Sequence, residues 1–66
     1  MAEWLTTREA ADRLRSELGV TSSARYLRDS AKKGRVPGYE LDGTWWVDYE
    51  VIHRRFAEAI RKALDK

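Results

Sequence analysis

Two stretches of helical pattern are separated by almost nothing. Ala10, Ala11, Leu14 and Leu18 recur at helical spacing, and after only Gly19 and Val20 the run Thr21-Ser22-Ser23 offers three side chains able to cap a second helix. Two helices joined so tightly must cross, which is the local form of a helix-turn-helix, although a plain αα-hairpin carries the same signals. The first helix has its own start signal. Thr6 can cap it, Glu9 can reach back to the cap, and Leu5 and Ala10 stand where a hydrophobic staple closes. A cap of this type stabilises by about 1 kcal/mol. With Gly19 as a left-handed stop, this helix is expected over about residues 7 to 18.

Ala24, Leu27 and Ala31 anchor the second helix before Gly34 ends it. Val36-Pro37-Gly38 breaks the helical period, and Tyr39-Glu40-Leu41 and Thr44-Trp45-Trp46-Val47 then flank Asp42-Gly43, the dipeptide favoured in two-residue hairpin turns. Alternation predicts Tyr39, Leu41, Trp45 and Val47 toward the core and Glu40, Thr44 and Trp46 outward. Asp48 is a good cap for a third helix with Glu50 in its first turn, and Ile52, Phe56, Ala59, Ile60 and Ala63 form its apolar stripe, running to about residue 64. Glu50 with Arg54 and Glu58 with Lys62 are spaced to pair along the exposed face.

A chain of 66 residues has room for one hydrophobic core, and nothing in it reads as a linker, repeat or low-complexity tract, so a single domain over residues 1–66 is expected. There is no cysteine and His53 is the sole histidine, which leaves no structural zinc set and no disulfide. No apolar run approaches the roughly 18 to 20 residues of a membrane span, and no basic-then-apolar leader is present, so a cytoplasmic protein without membrane contact is expected.

The enzymatic constellations are incomplete. There is no thiol nucleophile, His53 lies next to Ile52 on a helix occupied with packing, and Glu9 and Asp12 are accounted for by capping and surface charge. Gly34, Gly38 and Gly43 read as a helix stop and two turn positions, without the spacing of a phosphate-cradling loop. No enzyme, cofactor, metal or small-molecule ligand is expected.

The net charge of +2 says little, but its distribution says more. Residues 1–20 sum to −1 and residues 36–66 to −1, whereas Arg25, Arg28, Lys32, Lys33 and Arg35 against Asp29 leave the middle segment at +4. On the second helix Leu27, Ser30 and Ala31 centre the inward face. Arg25, Asp29 and Lys32 lie opposite, Arg28 and Tyr26 flank them, and Ser22 and Ser23 stand at the positive amino end. Arginine can bond guanine in bidentate fashion, lysine and hydroxyls can hold phosphate, and a helix amino terminus attracts the backbone anion, so this array suits a major groove. A solvated charged face is the plain alternative. Asp29 is expected to brace a neighbouring arginine. The hairpin carries Glu40 and Asp42 where a phosphate-binding wing prefers cations. Trp45 is expected in the core, while Trp46 is left for DNA contact, self-association or a lid over the third helix. Ile60, Ala63 and Leu64 lie beyond the point where the core closes, and with Trp46 they are candidates for weak self-association or cooperative assembly on DNA.

Taken in order, Leu5-Thr6-Thr7-Arg8-Glu9-Ala10-Ala11, Gly19-Val20, Lys33-Gly34-Arg35-Val36-Pro37-Gly38-Tyr39 and Gly43-Thr44-Trp45 resemble the excisionase-type, MerR-like winged-helix DNA-binding domains, over about residues 4 to 56. The resemblance implies a mostly α winged helix-turn-helix of three helices and a two-stranded wing. It also implies that the second helix enters the major groove of double-stranded DNA through Arg25, Tyr26, Arg28 and Lys32, with the wing approaching through Thr44. An architectural or regulatory role, in DNA recombination or transcription, follows from it. The alternative is a protein-interaction module using Trp46 and the third helix.

Overall fold

The structure is a computed structural model and describes residues 2–65. It is mostly helical: β1 (Trp4–Thr6), α1 (Thr7–Leu18), α2 (Ala24–Lys32), β2 (Gly38–Leu41), β3 (Thr44–Asp48) and α3 (Tyr49–Leu64). The strands form one antiparallel sheet in the order β1-β3-β2.

Each helix starts where a polar side chain stops its free N–H groups from going unpaired. Thr6 and Glu9 form a reciprocal capping box on α1, the Glu9 N–H donating to Thr6 Oγ1 at 3.2 Å and the Thr6 N–H to Glu9 Oε1 at 3.2 Å. Of the three candidate caps for α2, Ser23 is the one used, its Oγ accepting the Tyr26 N–H at 3.0 Å. Asp48 caps α3 by accepting the Glu50 N–H at 3.1 Å. Gly19 ends α1 in the left-handed region at φ 68°.

The core is small and drawn from every helix and from β3: Ala10, Leu14, Leu27, Ala31, Val47, Tyr49 and Ile52 are buried. Leu5, Trp45, Val36 and Phe56 pack half-buried around them.

Two expectations about the sheet are corrected. The hairpin is not a two-stranded unit, because the residues up to and including the α1 cap form β1 and pair Leu5 with Val47, which makes β3 the central strand. The expected facing of Tyr39 and Leu41 is also wrong. Asp42 at φ 52° and Gly43 at φ 79° make a two-residue turn, which pairs Leu41 with Thr44, Tyr39 with Trp46 and Glu40 with Trp45. Residues directly opposite share a face, so Tyr39 and Leu41 go outward with Trp46, and only Trp45 and Val47 of the four face the helices.

Gly38 is a strand residue rather than a turn position. A Cβ there would lie 2.8 Å from the Cβ of Ala31 and 3.0 Å from the Trp46 carbonyl oxygen. Glycine is required because α2 crosses against β2 at this point.

Candidate nucleic-acid interface

Leu27, Ser30 and Ala31 bury the inner face of α2, and this leaves Arg25, Tyr26, Arg28 and Lys32 exposed, Tyr26 at 53 %. Lys33 and Arg35 continue the exposed cations past the end of the helix. There the left-handed Gly34 turns the chain so that the Arg35 N–H returns to the Ser30 carbonyl at 2.9 Å. At the other end Ser23 is exposed with its oxygen committed to the cap, and Ser22 is half-buried beside Tyr26 and Phe56.

Among the described residues Arg25, Arg28, Lys32 and Lys33 form no ion pair. This corrects the expectation for Asp29, which is half-buried and braces no arginine. The structure adds a cation that spacing alone did not suggest: Arg55, on α3, donates a guanidinium N–H to the Arg35 carbonyl oxygen and so stands at the carboxyl end of the basic helix. Only the fold brings residues 35 and 55 together. A shallow apolar groove of about 290 Å³ separates α2 from α3 there, floored by Leu27, Ile52 and Phe56.

Thr44 does not join this array. It is exposed at the turn end of the hairpin, three residues along β3 from Val47, whose partner Gly38 meets α2. That separation is roughly 10 Å. From Gly38 to Asp48 the chain carries Glu40, Asp42 and Asp48 and no cation. Trp46 lies on the sheet, whereas Ile60 is half-buried on α3 and Leu64 is 80 % exposed near its end.

A second polar cluster lies where α1, α3 and the β1 segment meet. Arg13 pairs with Glu3 and, at 2.7 Å, with Glu17, and its guanidinium sits 4.6 Å from the centre of the Tyr49 ring. The Tyr49 hydroxyl donates to Glu17 Oε1 at 2.8 Å, and His53 Nε2 lies 3.8 Å from the same oxygen. The hydrogen bonds from Arg13 and Tyr49 hold the Glu17 carboxyl below its usual range. Burial, together with the bond to Glu17, pushes the Tyr49 phenol up to about 12. Every polar group here has a structural partner, so the cluster reads as a brace joining α1 to α3. No group of described residues could hold a metal ion, and no helix among them is long and apolar enough to cross a membrane.

In comparisons with known proteins, no family model matches the chain, and no curated protein or solved structure matches it either.

Proposed function

We propose that the chain is a winged helix-turn-helix domain that binds double-stranded DNA without catalysing a reaction, with α2 as the reading helix. The observation that carries this is the pair of faces on α2, one closing the core and the other holding Arg25, Arg28 and Lys32, which form no ion pair among the described residues although Asp29 lies between them. Leaving several cations unpaired side by side costs repulsion energy that a phosphate backbone removes. In this reading Arg25, Tyr26 and Arg28 contact base edges, Lys32, Lys33, Arg35 and Arg55 contact phosphates, and Ser22 with the hydroxyl hydrogen of Ser23 meets the backbone at the helix amino end. The acidic hairpin contributes little beyond Thr44. The order of elements supports the excisionase-type, MerR-like resemblance, and with it an architectural or regulatory role in recombination or transcription.

The test is duplex binding followed by fluorescence anisotropy at two salt concentrations. If about four phosphates are neutralised, affinity should fall about a hundredfold between roughly 50 and 200 mM salt. Arg25→Ala and Arg28→Ala should each weaken specific binding by about 1–3 kcal/mol while the melting temperature holds. A flat salt response, or normal binding by both variants, overturns the reading.

The exposed end of α3 favours a second, compatible property. Arg61 to Asp65 are all exposed, and Leu64 stands there with Ala63 beyond any core contact. Weak self-association through Ile60 and Leu64 is proposed. Sedimentation of an Ile60→Lys, Leu64→Lys double variant, with and without duplex, should show reduced association or reduced cooperativity on DNA. Unchanged behaviour removes the proposal.

A further inference from the structure

The sheet has an outer face on which aromatic rings stand uncovered. By register Trp4, Trp46 and Tyr39 share it, one from each strand, on the side opposite the Leu5, Trp45 and Val47 face that meets the helices. The Trp4 and Tyr39 rings meet edge to face, 5.1 Å apart and inclined at 62°, yet each residue remains 42 % exposed. Trp46 is half-buried between Thr6 and Tyr39, and Leu41 continues the face at 57 % exposure. A chain with so little core material has thus left two of its three tryptophans on the solvent side. Exposed aromatic clusters of this kind mark contact surfaces far more often than single exposed apolar residues do.

The surrounding charge selects the occupant. The strands and their turn carry none of the chain's 13 lysines and arginines, and of their carboxylates Asp48 lies on the outer face and Asp42 in the turn, while Glu40 shares the other face with Trp45. Asp48 stands directly opposite Trp4 on the outer face. The Glu9 carboxylate is held against Thr6, a member of the same face, by a 3.0 Å bond from Thr6 Oγ1. Carboxylates therefore border the rings at one end, with Asp42 at the turn end. Both this field and the negative faces of the rings repel phosphate and attract cations.

We propose that the outer face of the sheet is a docking surface for a basic segment of a partner protein, whose arginine or lysine side chains lie over Trp4, Tyr39 and Trp46 and are met by Asp48 and Glu9. This goes beyond DNA binding and stands independently of it. Because α2 packs on the inner side of the sheet, at Gly38, the two surfaces can be occupied together. A DNA-bound molecule would then display an anionic aromatic patch able to hold a second, cationic protein.

The test uses the full chain labelled with nitrogen-15 and titrated with a short alternating arginine–serine peptide, its lysine–serine counterpart and a single-stranded oligothymidine. The arginine peptide should move the indole N–H signals of Trp4 and Trp46 and leave those of Trp45 and the α2 amides in place. It should bind more tightly than the lysine peptide, since guanidinium stacks better on rings. Tyr39→Ser and Trp4→Ser should each lower its affinity about two- to tenfold. Melting curves identify any variant that fails to fold, and Tyr39→Ser, on the edge strand β2, keeps the test open if Trp4→Ser does fail. The proposal is overturned if no indole signal moves, or if the shifts centre on Glu3 and Glu17. It is also overturned if oligothymidine moves Trp4 and Trp46 in place of the peptide, which makes the face a base-stacking platform. The same holds if those signals change on dilution of the protein alone, which means that a second copy covers the face.

Discussion

At the scale of single residues, the tightest constraint is Gly38. A methyl group at this position must push against Ala31 on α2 and the backbone of Trp46 on β3, neither of which is the free end of a flexible side chain. Gly38→Ala should therefore destabilise by about 1–3 kcal/mol, read as a lowered denaturation midpoint. The replacement has no unfavourable φ to contend with, so the loss measures the helix–sheet approach alone. Tyr49 sets a different condition. Its phenol is held in the protonated form well above its ordinary value of 10.0, so the stability it supplies is complete below that value and disappears as pH rises from 10.0 toward about 12. The Glu17 carboxyl has the opposite sign: its contribution is present above the ordinary carboxylate range and is lost as pH falls through its lowered value. Tyr49→Phe should accordingly melt below the parent at neutral pH, and the gap should close at strongly alkaline pH. No gap at neutral pH would mean that the hydroxyl bond to Glu17 contributes nothing, and a gap that stays constant into the alkaline range would mean that the phenol is not held above its ordinary value.

At the scale of elements, the hairpin register is open to direct test. Trp45 packs half-buried on the core while Leu41 stands outward, so Trp45→Ala should cost about 2–3 kcal/mol, somewhat below a fully buried tryptophan. Leu41→Ser should cost less than about 0.5 kcal/mol. Equal losses in thermal melts would return Leu41 to the inner face. The helices were legible from the chain because their signals are local: the capping box of Thr6 and Glu9, the left-handed Gly19 and the periodic Leu14, Leu27 and Ile52 all act within a turn or two. The turn was legible for the same reason. What alternation could not supply was the phase of each strand, which a two-residue turn decides by pairing Leu41 with Thr44. Strand β1 is not legible because three residues ending on a cap make almost no pattern, and their pairing partners lie some forty residues away. Of the candidate site, the exposed cations of α2 could be read by helical spacing. Arg55 could not, since its link to Arg35 exists only once α3 is folded back.

At the scale of the whole molecule, the cationic surface of α2 and the exposed aromatic surface are sorted onto different sides. The exposed face of α2 is cationic, the hairpin is anionic, and aromatic surface is concentrated on the outer sheet face. The order β1-β3-β2 has a kinetic corollary. Most contacts in a small helical domain are local and form quickly, but Leu5 must find Val47 across about two thirds of the chain before the sheet is complete. The helical pair α1 and α2 lies inside that closing loop; the two helices pack on each other, but the sheet that covers their shared core is complete only when the two distant strands meet. Folding should be all-or-none and slower than the helix content suggests. The cationic face of α2 is therefore set by a seat built from α1, β2 and β3, and a molecule in which β1 has let go of β3 loses the strand that ties this seat to the start of α1.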